Sequence, residues 1–476
     1  MNMNDFQALS PLIIMAASPM AAMLAIAVSR SYRFTATLSL YSIYAALLSL
    51  AVAYPQAPHQ VSSLIIIDRF AILYMAIILI SGAVVIMLSY GYIKKCDINY
   101  EEYHILMLLA IMGSMVLVCS SHFASLFLGL EILSVSLYAL VAYPKQRIGQ
   151  IEAALKYLVL AAVSSAFLLF GMALVYADSG TMALSAIESR AAHGTAYTLP
   201  FAAGLSLITV GIGFKLALVP FHMWAPDVYD GAPAPVSAFI ATVSKGAVFA
   251  ILLRYFNQSD LSHSSLFFLI FAVIAAASMI IGNILALFQK NIKRVLAYSS
   301  ISHMGYLLVA FLAGGELSVR IATFYLIAYF IAIFGAFGII SFLSSEDKEA
   351  DDIDYYRGLS SKRPFLTLVL AAMLFSLAGI PLTAGFIGKF YLITAGVSTG
   401  LWKLVVTLAL SSTIGLFYYL RIIFNLFAPA ENLHLPINVS AAGSVLLITL
   451  LLLLLWIGVY PEPLMDGISA ILEASF

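Results

Sequence analysis

Lysine is rare inside apolar helices, yet this chain places four there: Lys156, Lys215, Lys245 and Lys389. A lysine at the centre of a bilayer costs roughly 2.5–3.5 kcal/mol on insertion scales, so each must be paired or used. Glu131 shares that depth, in SLFLGLEILSVSLYAL (125–140), with no charged neighbour in its own helix. Lys215, five residues before Pro220, is its expected partner. At about 4 Å and an effective dielectric near 20, their attraction is on the order of 4 kcal/mol. A static salt bridge would use the same two residues, but the inventory argues for more. Four buried cations exceed one glutamate, because Glu152 lies nearer the mouth of its span. Burial disfavours the charged form of an amine, so some of these lysines should be neutral part of the time. A row of groups that take up and release a proton in turn is a relay. A sodium or potassium channel would place carboxylates or carbonyls at this depth instead.

Softer candidates surround the lysines. His222 follows Pro220, and His303 lies in LAYSSISHMGYLLVAF (296–311) with Tyr298, Ser299, Ser300 and Ser302. That polar helix reads either as a hydrated proton path or as interhelical hydrogen bonding. His122 borders its span and is expected at an interface. Asp227 and Asp230, in WAPDVYDGAPAP, are expected to organise a loop rather than to move protons. No Gly-rich strand–helix fingerprint, P-loop or zinc pattern occurs. Cys96 and Cys119 are too few for a disulfide framework or an iron–sulfur cluster, which takes four thiolates. The chain is therefore expected to bind no NAD, flavin or metal itself.

The elements that must position these groups are membrane helices. Of 476 residues 63% are hydrophobic and 10% charged, against about 25% charged in a soluble domain. A net charge of zero argues against nucleic acid as a partner. Long apolar runs predict an all-α polytopic membrane protein of about fourteen transmembrane helices. They fall near 10–29, 35–54, 70–92, 104–120, 123–143, 152–177, 201–219, 235–256, 265–287, 295–313, 319–342, 365–396, 402–425 and 439–459. The N-terminal run lacks a basic leader and reads as an uncleaved first span. Loops after odd-numbered spans hold fourteen Lys and Arg residues and the opposite loops five. That bias predicts both termini outside the cytoplasm.

Spans 4–8 and 9–13 form two five-helix sets. Their odd number makes the second inverted relative to the first, and the fourth helix of each carries a proline break, at Pro220 and Pro381. Interrupted helices at corresponding places mark the transport site in many carriers. Ordinary membrane-helix kinks are the plainer alternative. The predicted units are three N-terminal spans (1–103), a first repeat (104–256), a second inverted repeat (257–425) and a C-terminal span (426–476).

Four stretches carry a family resemblance: SLFLGLEILSVSLYAL, GFKLALVPFHMWAPDVYDGAPAPVSAF, NIKRVLAYSSISHMGYLL and SLAGIPLTAGFIGKFYL. Together they resemble the subunit N branch of the antiporter-like membrane subunits of proton-pumping NADH:quinone oxidoreductase, respiratory complex I. The resemblance covers essentially all fourteen spans. It implies that Glu131 and Lys215 are the pair of a first half-channel and Lys156 the sixth-span lysine. Lys245 would be the central lysine and Lys389 the terminal lysine of a second half-channel. It further implies that NADH, FMN, iron–sulfur clusters and quinone are bound by partner subunits. The implied setting is a hetero-oligomer of membrane and peripheral subunits, including sister subunits L and M, in a bacterial inner membrane. Subunit M typically has glutamate where Lys389 stands, and GAPAPVSAFIATVSK looks more like N than like the HAAT-type sequence of L and M. A subunit of a multicomponent sodium/proton antiporter, which shares the Glu–Lys pair, is the alternative. A scaffold whose charges only pair is a third reading.

Overall fold

The computed structural model describes residues 2–94, 100–143, 148–187, 198–256, 266–345, 349–429 and 440–472; Cys96 lies outside them. Among the described residues thirteen helices are long and apolar enough to cross a membrane. The remaining expected span, 365–396, is two shorter apolar helices. Among the described residues strand is confined to a two-residue hairpin, His59–Gln60 against Ile66–Ile67. The all-helical, polytopic prediction holds.

Three helices come first: α1 (Met3–Val28), α2 (Tyr32–Ala53) and α3 (Arg69–Lys94). The first set follows as α4 (Glu101–Val118), α5 (Phe123–Val141), α6 (Ile148–Ser179) and α7 (Leu199–Leu216). It continues with the short α8 (Trp224–Gly231) and with α9 (Ala234–Phe239), which passes through a π-helical turn, Ile240–Ser244, into α10 (Lys245–Phe256). The second set is α11 (Leu266–Leu287), α12 (Ile292–Ala313), α13 (Gly315–Leu343), the half-helices α14 (Pro364–Ala378) and α15 (Ala384–Ser398), and α16 (Trp402–Phe427). The described chain closes with α17 (Ala441–Val459) and α18 (Glu462–Leu472).

The core is built from the helices that carry the chemistry. The span Ala234–Tyr255 and α12 are buried over their apolar lengths, and α13 nearly so, as expected of helices apolar on all sides. Around them α6, α11, α16 and α17 expose apolar side chains such as Phe170, Val273, Phe417 and Leu452, a surface for lipid or for neighbouring helices. Small residues set the crossings: a Cβ on Gly171 would stand 2.7 Å from the carbonyl oxygen of Gly204, which locks α6 against α7.

The two breaks are built alike. α7 ends at Ala217 (φ 56°), with Leu218 N–H donating to the Gly213 carbonyl at 2.8 Å. α14 ends at Gly379 (φ 86°), with Ile380 N–H donating to the Phe375 carbonyl at 3.0 Å. Both are the left-handed helix stop that returns a sixth N–H to an orphaned carbonyl. Ala217 and Leu382 (φ 73°) hold a left-handed backbone without being glycine, a strain of about 1–3 kcal/mol each.

Three expectations are corrected. The stretch after the seventh span is not a loop but the helix α8, because Trp224, Ala225 and Val228 bury one face while Asp227 and Asp230 turn to the other. α18 was not anticipated; its short apolar face, Ile468 and Leu472, folds back onto the bundle. Lys293, counted with the loops, is completely buried. It donates to the carbonyls of Asp230 (2.6 Å) and Ala232 (2.7 Å) and to Glu349 Oε2 (2.9 Å).

Candidate functional site: a row of buried lysines

The first group of the row is Glu131 on α5. It is half-buried and accepts a hydrogen bond from Ser165 of α6 at 2.7 Å. Lys215, in the last turn of α7, is buried and donates to Ser134 Oγ of α5 at 2.5 Å. Ser134 stands one helical turn from Glu131, so the two charged groups share a neighbourhood. They do not touch: among the described residues no ion pair within 4 Å joins them. The expected contact pair is therefore a pair held apart, each partner on a serine.

Lys245 opens α10 directly after the π turn and is fully buried. Its ammonium donates to Ser300 Oγ of α12 at 2.7 Å and lies 5.6 Å from the centre of the Tyr229 ring. Tyr229 Oη in turn lies 3.4 Å from Ser300 Oγ. Among the described residues no carboxylate is paired with it. Lys389 lies on α15, past the second break, and is also buried. It donates to the carbonyls of Leu377 and Ala378, both at 2.9 Å, and to Ser412 Oγ at 2.8 Å. Three donors thus meet three acceptors. Two of these are the last carbonyls of α14, the negative end of that helix. The Tyr306 ring centre is 5.4 Å away, and a recess of about 280 Å³ between α15 and α16 opens beside the ammonium.

Between Lys245 and Lys389 lie buried hydroxyls, an imidazole and an amide. His303 Nδ1 is 2.6 Å from Tyr325 Oη and its Nε2 3.3 Å from Tyr419 Oη. Asn283 of α11 donates to Tyr306 Oη at 2.9 Å and accepts from Tyr418 Oη at 2.9 Å. His222, in the first break, is buried with neither ring nitrogen hydrogen-bonded. The expected path residues divide. His303 joins the polar network, whereas Ser299 and Ser302 return their hydroxyls to their own helix, at Leu296 and Tyr298. Tyr298 is buried beside them, and its hydroxyl joins none of these links.

Lys156 is a correction. Its side chain is 46% exposed and its Nζ lies 2.9 Å from both Glu152 and Asp227. It starts only about two turns into the 32-residue α6, so four buried lysines within the expected row become three. Asp227 also accepts from Arg294 at 2.8 Å, and Asp230 from Asn291 at 2.7 Å. Sequence reading missed Ser134, Ser165, Ser412, Asn283 and the tyrosines. Ser134 alone carried a signal, its spacing of three from Glu131.

These features define a polytopic helical membrane subunit with two interrupted-helix repeats around a polar axis. Residues 120–415 match the family described as NADH:quinone oxidoreductase/Mrp antiporter, TM, and the chain belongs to that family. It is 46% identical over 470 residues to NADH-quinone oxidoreductase subunit N of Ectopseudomonas mendocina, covering 96% of this chain and 95% of that one. It is 43% identical over 471 residues to subunit N of Methylococcus capsulatus, covering 98% and 95%. A chain of respiratory complex I from Thermus thermophilus superposes with a TM-score of 0.83 at 31% identity, covering 96% of this chain and 98% of that one.

Proposed function

We propose that the chain serves as the N-type, proton-translocating membrane subunit of an NADH:quinone oxidoreductase. Other subunits hold NADH, FMN, iron–sulfur clusters and quinone and carry the electrons. This subunit is the part of the translocase that moves protons, within a hetero-oligomer that includes its sister antiporter-like subunits. The units are the three N-terminal spans, the two repeats and the C-terminal span, in a bacterial inner membrane with both termini periplasmic.

One observation carries the relay reading. Lys215, Lys245 and Lys389 are all buried, and each is held by hydroxyls or main-chain carbonyls rather than by a carboxylate. An ammonium in a tight ion pair is locked charged, because losing its proton would strand the carboxylate. An ammonium on a serine or a carbonyl can give up its proton and leave only neutral groups behind. Proton arrival at one lysine then disfavours charge on the next, through Coulomb repulsion in a medium of low dielectric. Glu131 serves as the acid that accepts or releases a proton as Lys215 changes state.

The test is Lys215→Ala in the assembled complex. Proton pumping and coupled quinone reduction should be impaired, while the peripheral arm keeps oxidising NADH with artificial acceptors. Normal pumping by the assembled variant would remove Lys215 from the relay. Copurification separates this reading from a multicomponent antiporter, since peripheral-arm subunits accompany only the former.

A further inference from the structure

A second polar site lies away from the lysine row, at the end of the bundle where the lysine- and arginine-rich loops meet. It is a recess of about 470 Å³, room for many waters at roughly 10–15 Å³ of such space each. The start of α6 supplies Gln150, Glu152 and Lys156, α8 supplies Asp227 and Asp230, and α12 supplies Arg294. The segment after α13 supplies Glu349 and Asp351.

Two observations together point to a use. The first is charge. Among the described residues five carboxylates line the recess with Lys156 and Arg294, and Lys293 is buried behind as the partner of Glu349, so this described lining is net negative. Asp227 is committed to Lys156 and Arg294 and contributes attraction. Asp351 is held more loosely, with Asn291 at 3.2 Å, whereas Asp230 accepts from Asn291 at 2.7 Å and meets Arg294 only at 3.4 Å. The second is Gln150, which is 3% exposed and lines the recess. Among the described residues its side-chain oxygen has no hydrogen-bond partner. A buried amide oxygen left open toward a polar recess calls for a donor, which water or hydronium supplies.

We propose that the recess bounded by Gln150, Lys156, Asp227, Asp230, Arg294 and Asp351 is a hydrated proton-collecting mouth that loads Lys245. The link is α8 itself. Asp227 and Asp230, three apart, share the face in the recess. Tyr229 is buried against the row, where its hydroxyl lies 3.4 Å from the Ser300 oxygen that holds Lys245. A proton from bulk water protonates a water or carboxylate in the mouth. It leaves as the neutral amine of Lys245 accepts a proton, so the mouth returns to its starting charge each time.

The inference rests on the relay reading, and its test is kept separate. The assembled complex carrying Asp227→Asn with Asp230→Asn is reconstituted in vesicles and its pumping followed in mildly acidic and mildly alkaline buffer. Scarce hydronium makes collection limiting in alkaline medium. Pumping should fall there by roughly tenfold, the low end of what a steering field adds to an association rate. The loss should be smaller in acid, and a small diffusible buffer such as imidazole should partly restore the alkaline rate. Asp351→Asn, which removes one charge and leaves α8 intact, should shift the profile the same way and serves if the double variant does not assemble. An unchanged profile, or an equal loss at every pH without rescue by buffer, would overturn the mouth. Neither result touches the relay, which stands or falls on Lys215→Ala.

Discussion

Lys215 donates a hydrogen bond to Ser134 at 2.5 Å, while Glu131, one turn from Ser134 on the same helix, accepts its hydrogen bond from Ser165. The serines thus hold apart two charges that would otherwise meet. Removing the Ser134 hydroxyl leaves a buried donor unsatisfied, at about 1–3 kcal/mol, and the nearest remedy is direct pairing with Glu131. Ser134→Ala should therefore slow pumping, and Ser134→Thr, which keeps the hydroxyl, should slow it far less. Proton uptake per NADH oxidised in inverted vesicles is the measurement. Equal rates in both variants would mean that the hydroxyl has no part in the relay.

Lys245 separates a carrier from a fixed charge. Guanidinium stays charged, with a pKa above about 12, so arginine keeps the cation but cannot pass its proton on. A relay predicts that Lys245→Arg and Lys245→Met both stop pumping in an assembled complex. Full pumping by Lys245→Arg would make Lys245 a static cation.

Gly385 marks where the two halves of the broken helix touch. A Cβ there would lie 1.9 Å from the Ser376 carbonyl oxygen, and backbone cannot yield as a flexible side chain does. Gly385→Ala should cost about 1–3 kcal/mol or more of packing and lower the amount of assembled chain in membranes. Wild-type levels with full pumping would show that the break can reopen without penalty.

The buried pair Lys293–Glu349 should respond unequally to substitution. Lys293→Met strands Glu349 and frees the carbonyls of Asp230 and Ala232, a loss on the order of 3–5 kcal/mol. Glu349→Gln keeps one acceptor oxygen, which can serve Lys293, and loses the one that takes Tyr92 O–H and Ala234 N–H; it should be milder because no charge is stranded. Thermal stability of the purified complex, read by loss of the folded membrane arm, ranks the two.

Orientation follows from the distribution of lysine and arginine among the loops. A C-terminal reporter that is active only outside the cytoplasm should be active on this chain. Activity from a reporter confined to the cytoplasm would invert the topology.

Much of this is legible in the sequence alone. Apolar length fixed the spans, and the prolines at 220 and 381 marked both breaks. Lys215, Lys245 and Lys389 lie buried where a bilayer-length reading put them. Lys156 did not, because hydropathy averages over a window and cannot see that Glu152 and Asp227 draw the amine to the mouth of its helix. Lys293 was misread for the opposite reason: next to a polar turn it looks like loop, yet three acceptors from distant parts of the chain enclose it. Ser412, Asn283 and the tyrosines act across helices, and no spacing within one helix encodes that.

Lys215 sits in the last turn of α7, and Lys389 rests on the last carbonyls of α14. Lys389 is thus balanced by the end of a half-helix, an anion made of peptide dipoles that has no side chain and no proton to exchange. Such a counter-ion cannot be titrated, oxidised or deleted by any single side-chain replacement. It can be changed only by moving the point at which the helix stops. The tuning of Lys389 is therefore written in the length of α14. Shifting Gly379 by one position should disturb Lys389 as much as replacing any residue whose side chain touches it.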